Sequence, residues 1–462
     1  MTTQKTKHQA SFRDPSGYMF YDGNVLKRAI NPIYFPQYEA LTESGFFQTL
    51  FDRGLLIAHT ETARSAERIE ITPQVIPFIS HPYEWSFDQL KHAALLTLQL
   101  QKHALTKGFI LKDASAYNIT FHQGRPVFID TLSFDFYKEN TPWRAYKQFV
   151  MHFLSPLVLA HYHGGEMLKL SQNHIDGIPV ALTASLLPFK SRWSSTLYTN
   201  IHLLAKLEAK HNDEYRESGR VITLSRKAQL NMIEALFEYI KGLKMHQETE
   251  WGDYYDKTNY TAESFNFKKQ QLSEWVQRTK AKTLVDLGGN DGTFARCILP
   301  EMDLAIVADI DPNAVAQNYR QVRSNNEKNM LPLRLDVLQP SPGIGLNNQE
   351  RGAMIERLSD FGPDITLALA LIHHVTLSGN VPFVSSAAFF ARFSEYLVIE
   401  FPKRNDSWVH SLLVRKREFI NHFDHYHQEA FENDFSTLFT IEDQIEIPQS
   451  ARILYLMKRK NN

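Results

Sequence analysis

Three acidic residues end three successive apolar runs in the second half of the chain. Asp286 stands in TLVDLGGNDGTF, Asp309 closes AIVADID and Asp336 lies in LRLDV. Gly288, Gly289, Asn290 and Gly292 follow the first run. Glycines at a strand end let the chain turn sharply and bring backbone against a ligand, and the helix that follows offers free N–H groups. A carboxylate inside such a turn repels a pyrophosphate and suits a ligand carrying an amino group. A carboxylate ending the next strand can accept both hydroxyls of a ribose. That is the expected role of Asp309, with Ile310 beside it. Asp336, followed by Val337, suits the exocyclic amine of adenine. The alternative is that these acids only cap helices or brace turns.

A second set of residues could move a proton. The run ITLALAL ends in Ile372, His373 and His374, which places two imidazoles at one strand end. Neutral imidazole is a suitable general base near neutral pH, although one of an adjacent pair often packs beneath a ligand instead. The run YLVIEF delivers Glu400, a further candidate for catalysis, with Lys403, Arg404 and Asp406 just beyond as substrate contacts or a solvated loop. Between Asp336 and ITLALAL, the segment QPSPGIGLNNQERGAMIERL reads as a loop that arches over the ligand edge. Glu350 and Arg351 are its candidate contacts, and surface ion pairing would explain them equally well.

A third set lies in the first half, in KDASAYNITFHQGRPVFIDTLSF. Asp113 and Asn118 are five residues apart, and Asp130 follows across an expected hairpin. Protein kinases need a catalytic-loop Asp, an Asn five residues on for magnesium, and a second magnesium Asp beyond a hairpin. The region resembles the core of the kinase-like fold, including its aminoglycoside phosphotransferase-like branch, which implies ATP and magnesium at these residues. Leu111-Lys112 replaces the usual His-Arg, Asp130-Thr131-Leu132 replaces Asp-Phe-Gly, and no glycine-rich phosphate loop precedes them. Only GYMFYDGNVLKR offers an upstream hairpin, with Lys27 or Arg28 as phosphate contacts.

The elements that must position these groups follow from patterning. With 462 residues the chain is long enough for two cores. Residues 1–12 are polar and are expected to form a disordered tail. Residues 13–245 read as an α+β domain of kinase-like character. It has two short strands around the Asp22-Gly23-Asn24 turn, helices near 37–53 and 86–107, extended runs between 109 and 136, and helices thereafter. From 246 to 462 short apolar strands alternate with helices, the pattern of a parallel, doubly wound, Rossmann-like α/β sheet.

Bulk properties narrow the partners. The formal net charge is −1, so no general attraction to nucleic acid exists and a nucleic-acid partner is not expected. Cys297 is the single cysteine, which excludes an internal disulfide and a cysteine-rich zinc site and suits a reducing compartment. No metal site is expected in the second domain. The polar N-terminus shows no signal peptide, and Phe149 to Tyr162 is too short and too interrupted for a membrane span. A cytoplasmic location is the expectation. The oligomeric state is not legible.

DLGGNDGTF, VADIDPNAV, LRLDV and LALALIHHV together resemble the successive motifs of class I S-adenosylmethionine (SAM)-dependent methyltransferases. The preceding segment WGDYYDKTNY resembles the approach segment of one subgroup, which points to Tyr260, and less directly Tyr255, beside the cofactor. Over nearly its full length, in FRDPSGYMF, LKDASAYNITF, GRPVFIDTLSF, ALALIHHV and VIEFPKRND, the chain resembles a bacterial group related to nodulation host-specificity methyltransferases. The resemblance implies O-methylation of a glycan or small-molecule acceptor. Two other functions fit the same residues: a bifunctional kinase and methyltransferase, and a non-catalytic SAM-binding regulator.

Overall fold

A computed structural model describes residues 5–213, 223–245 and 261–460. The chain divides into two units, one of residues 1–247 with 343–351, the other of 248–342 with 352–462. The expected division near 245 therefore needs one amendment, because Gly343–Arg351 is part of the first unit. Among the described residues no helix is long and apolar enough to cross a membrane.

The first unit opens with a five-stranded antiparallel sheet. Its strands are β1 (Lys5–Lys7), β2 (Gly17–Asp22), β3 (Val25–Ile30), β4 (His59–Arg64) and β5 (Ile69–Pro73), in the order β1-β2-β3-β5-β4. The expected turn joins β2 to β3, with Asp22 opposite Val25 and Gly23 at φ +61°. The tail expected to be disordered is different: Lys5, Thr6 and Lys7 pair with Asp22, Tyr21 and Phe20. Three polar residues cannot announce a strand by hydrophobic period, because an edge strand's stability comes from the ladder it joins. The expected helix near 37–53 breaks into Phe35–Glu43 and Phe46–Asp52 at Gly45, which sits at φ +68°.

A twenty-residue helix, Phe87–Thr106, follows, capped by Ser86 and Gln89 in a reciprocal box. It leads into β6 (Phe109–Leu111), β7 (Ile119–His122), β8 (Arg125–Phe128) and β9 (Phe134–Phe136). β7 and β8 form a hairpin, and β6 pairs with β9. Asp113 and Asn118 thus lie between β6 and β7, and Asp130 follows β8. The rest of the unit is largely helical, as patterned. In the Gly343–Arg351 segment Glu350 is buried and forms an ion pair with Arg13 at 2.6 Å, while the Arg351 guanidinium lies 4.6 Å from the Tyr117 ring centroid. Both side chains are engaged within the first unit.

The second unit is built on a seven-stranded sheet. Its strands are β10 (Thr283–Leu287), β11 (Leu304–Asp309), β12 (Met330–Arg334), β13 (Ile365–Ala368), β14 (Tyr396–Pro402), β15 (Phe439–Glu446) and β16 (Arg452–Arg459). The order is β12-β11-β10-β13-β14-β16-β15. The first five are parallel and were legible as continuous apolar runs, since strands covered on both faces have no polar side to show. The terminal antiparallel pair was not foreseen. β15 alternates buried and exposed residues at an edge, and β16 pairs with β14 from Tyr396–Lys458 to Pro402–Arg452. Strand order reverses between β10 and β13, which opens a crevice at their C-terminal ends.

Beneath that crevice lies a buried ion network. Glu400 of β14 accepts from Lys268 at 2.6 Å and from Arg452 of β16 at 2.9 Å, and Arg452 also donates to Asp406 at 2.8 Å. Glu400 is fully buried, so its expected catalytic role is corrected: the carboxylate is used to hold two cations. Lys403 pairs with Glu446, Arg404 donates to the Phe423 carbonyl, and Asp406 caps the Ser407–Arg415 helix. Removing one member of such a network strands the others. Glu400→Ala should cost about 3–5 kcal/mol of unfolding free energy in a denaturant titration. An unchanged midpoint would show that the network contributes nothing to the fold.

Candidate functional site

At the C-terminal edge of β10, β11, β12 and β13 lies a cavity of about 220 Å³. Asp286, Gly288, Gly289, Asn290, Asp309, Ile310, Asp336 and Val337 all line it, as does His374. Strand ends scattered through sequence meet here because parallel strands deliver their C-termini to one edge.

The glycine turn is shaped by contact. Gly288 sits at φ +74°, and a Cβ on Gly289 would stand 2.7 Å from both Asp286 Oδ2 and Val307 Cγ1. Gly292 does not line the cavity. It starts the Thr293–Ile298 helix at φ +82°, where a Cβ would meet the side chains of Arg296 and Asn318 at 2.9 Å. Its role is packing. Tyr260 and Tyr255 lie outside the described residues.

The carboxylates differ in environment. Asp286 is buried, and neither of its oxygens has a hydrogen-bond partner among the described residues. Burial pushes its pKa up to about 7, Asp309 adds to the rise, and Lys268 draws it back. Asp309 is held by the N–H groups of Asn290 at 2.8 Å and Asp311 at 2.9 Å. Burial still pushes its pKa up to about 6. Two such oxygens each retain a lone pair for a ligand hydroxyl. Asp336 accepts from the Leu338 N–H at 2.9 Å, bracing its own turn while facing the cavity.

The two imidazoles part ways. His373 is buried outside the cavity wall, and burial holds its pKa well below the usual histidine value. His374 lines the cavity; burial, with Arg452 adding, lowers its pKa to about 4. At neutral pH His374 is therefore an uncharged acceptor or donor. Their rings lie 4.1 Å apart.

Several lining residues were not read from the sequence. Lys268, on the Ala262–Thr279 helix, lines the cavity with its ammonium 4.2 Å from the Phe294 ring centroid. The available signal was a lysine at core spacing with Leu272 and Trp275. Ala370, at φ +50°, also lines the wall, a strained conformation that follows β13.

In the first unit the structure brings Asp113, Asn118 and Asp130 together. Asp130 accepts from Arg28 of β3 and from the Ser133 hydroxyl, while Asn118 donates to that same hydroxyl at 3.3 Å. Burial alone would raise the Asp130 pKa; Arg28 and the hydrogen bonds outweigh it and hold it below the usual range. Burial raises Asp113, and the Asp130 charge adds to it. Lys27 pairs with Asp22 at 2.7 Å. Among the described residues no group of three His, Cys, Asp or Glu is arranged to hold a metal ion.

The strand order, with its switch between β10 and β13, defines the second unit as a Rossmann-like domain. The chain is 32% identical over 463 residues to nodulation protein NoeA of Rhizobium meliloti (strain 1021), covering 97% of this chain and 95% of that protein. It belongs to the NoeA family. No protein-family model matches it. Solved structures with partial likeness include the N-methyltransferase NodS from Bradyrhizobium japonicum WM9 in complex with S-adenosyl-l-homocysteine (SAH), 12% identical, covering 44% of this chain and 91% of that one, TM-score 0.31. Another is magnesium protoporphyrin IX methyltransferase from Synechocystis PCC 6803 with bound SAH, 11% identical, covering 43% and 84%, TM-score 0.29.

Asp286 makes a pH-dependent prediction. Its folded pKa is raised above the unfolded value, so the group favours the folded state at low pH and that contribution is lost as pH rises toward 7. Asp286→Asn should therefore stabilise the ligand-free protein at pH 8, by roughly 1–3 kcal/mol, and leave it little changed at pH 4. Melting curves at both pH values check this; equal shifts at both would contradict it.

Proposed function

We propose that the second unit binds SAM in this cavity and transfers its methyl group to an oxygen acceptor on a glycan or small molecule. The observation that carries the reading is the convergence of Asp286, Asp309 and Asp336, from three successive strand ends, on one glycine-lined cavity. The residues present fit the cofactor. Asp286 is a buried carboxylate with no hydrogen-bond partner among the described residues, suited to an ammonium group. Asp309 is pre-oriented by two backbone N–H groups for ribose hydroxyls, and Asp336, Ile310 and Val337 frame the adenine end. Bound there, the cofactor supplies an electrophilic methyl group. What remains for the protein is to hold the acceptor in line and manage its proton. His374 is the imidazole placed for that; His373 supports it from beneath.

The relative's name connects the family with nodulation, and an acceptor of glycan or small-molecule type is compatible with that setting. A single cysteine and a near-neutral charge fit action in the cytoplasm. Asp309→Ala should weaken SAM binding by about 1.5–3 kcal/mol, very roughly tenfold to a hundredfold, with the fold retained. Calorimetry with SAM reads this directly, and unchanged affinity removes Asp309 from the site. Labelled SAM with a cell extract then identifies the acceptor. Binding without any transfer would favour the regulator alternative.

A second reading concerns the first unit, which we propose is kinase-like and binds ATP with magnesium. The specific support is that Asp113, Asn118 and Asp130 meet, with Arg28 reaching Asp130 from the sheet. A bound nucleotide must raise the melting temperature, since the unfolded chain has no such site. ATP with magnesium should raise it in the wild type and not in Asp130→Ala. Absence of a shift in the wild type would make the unit a scaffold and exclude the bifunctional enzyme.

A further inference from the structure

Two further cavities lie near the proposed cofactor site within the second unit. The first, about 130 Å³, shares Val337, Leu338, Leu371 and Val375 with the cofactor cavity. It is a mainly apolar annex, closed by Val381, Phe389 and Phe390 with Ser385 and Ser386. Val381 is in turn a wall of the second, an outer cavity of about 330 Å³. Shared wall residues set the annex beside each of the other two. The His374–Ser378 turn runs beside them, with His374 and Val375 in the cofactor cavity and Thr376 in the outer one.

The outer cavity has a one-signed chemistry. Lys416, His422 and His425 line it, and no carboxylate does among the described residues. The Lys416 ammonium donates to Asn380 Oδ1 at 2.8 Å and lies 5.4 Å from the Phe423 ring centroid. Asn380 is held at φ +56° in the loop after the turn. Phe419 is 57% exposed beside His422, their ring centroids 5.8 Å apart. The Thr376 hydroxyl is buried and has no hydrogen-bond partner among the described residues. A buried hydroxyl left unpaired is costly unless a ligand answers it. A lysine beside an amide and two imidazoles is a recognition set for a carboxylate or phosphate. The ring faces suit the less polar side of a small hydroxylated molecule. The cavity volume falls in the range of small-ligand sites, roughly 300–1,000 Å³.

We infer that the outer cavity is the acceptor's anion subsite: the acceptor is an acidic small molecule or sugar whose carboxylate or phosphate sits against Lys416, while its uncharged portion passes the annex toward His374. This deepens the methyltransferase reading and rests on it. Lys416 here is a binding residue, remote from the transferred group.

The test uses the full-length protein saturated with SAH, titrated separately with D-glucuronate, with glucose 6-phosphate and with neutral methyl glucoside, followed by ligand-observed NMR. One anionic probe or both should bind saturably, at least tenfold more tightly than the neutral sugar; which of them binds decides between carboxylate and phosphate. Lys416→Ala should weaken that binding at least tenfold, with SAH affinity and melting temperature unchanged. Should Lys416→Ala fail to fold, Lys416→Gln keeps the side chain's bulk and removes only its charge, and the same loss is expected. Equal binding of the neutral sugar, no binding of either anion, or anion binding indifferent to both substitutions would overturn the inference. Failure of SAH to bind is a separate result, which defeats the methyltransferase reading itself.

Discussion

Glu400 carries a charge into a region without water, and the second unit is arranged around the two cations that answer it. Lys268 comes from a helix, Arg452 from the last strand, and Asp406 completes the balance at two acids and two bases. Taking each ion out of water costs several kcal/mol, so the arrangement is tolerable only when every member is paired at short distance. That requirement ties the Ala262–Thr279 helix, β14, β16 and the turn after β14 to one geometry. Lys268 also forms part of the cavity wall and acts electrostatically on Asp286. The floor of the cavity is thus rigid for reasons set below it.

Above that floor stand the carboxylates that the proposed cofactor would meet. Asp286 and Asp309 are both buried, and each is pushed toward its protonated form. Burial raises both, and the Asp309 charge adds to the rise of Asp286. Such perturbed groups gather where a binding partner will offset their cost. The turn beginning at His374 then lies between two cavities: His374 and Val375 line the proposed cofactor cavity, and Thr376 lines the outer one. One short element therefore relates the proposed methyl donor to the proposed acceptor.

The first unit shows the same logic on a smaller scale. Arg28 on β3 reaches Asp130, and Asp130 raises Asp113. The sheet and the loop after the hairpin are held together by a charge pair, and a third polar residue, Asn118, is fixed beside it through Ser133. The Arg28–Asp130 pair occupies the carboxylate in the ligand-free protein, so a cation arriving there would have to compete with a guanidinium.

By itself the sequence determined the features that are local. TLVDL, AIVAD, ITLA and YLVIEF announce buried parallel strands because a strand covered on both faces must be apolar throughout. The acids at their ends and the glycines after β10 could be assigned because a strand's C-terminus goes to the ligand edge whatever surrounds it. Tertiary structure decided everything that depended on a distant partner. A glutamate at the end of β14 reads alike whether it faces substrate or a buried cation, and its partners lie 132 and 52 residues away. Lys5–Lys7 became a strand only through the ladder it joins, and Glu350 and Arg351 went to the first unit because Arg13 and Tyr117 receive them there. The choice between His373 and His374 could not be made from adjacent positions in a run of letters. It was made by packing, which buried one imidazole away from the cavity wall and left the other lining it.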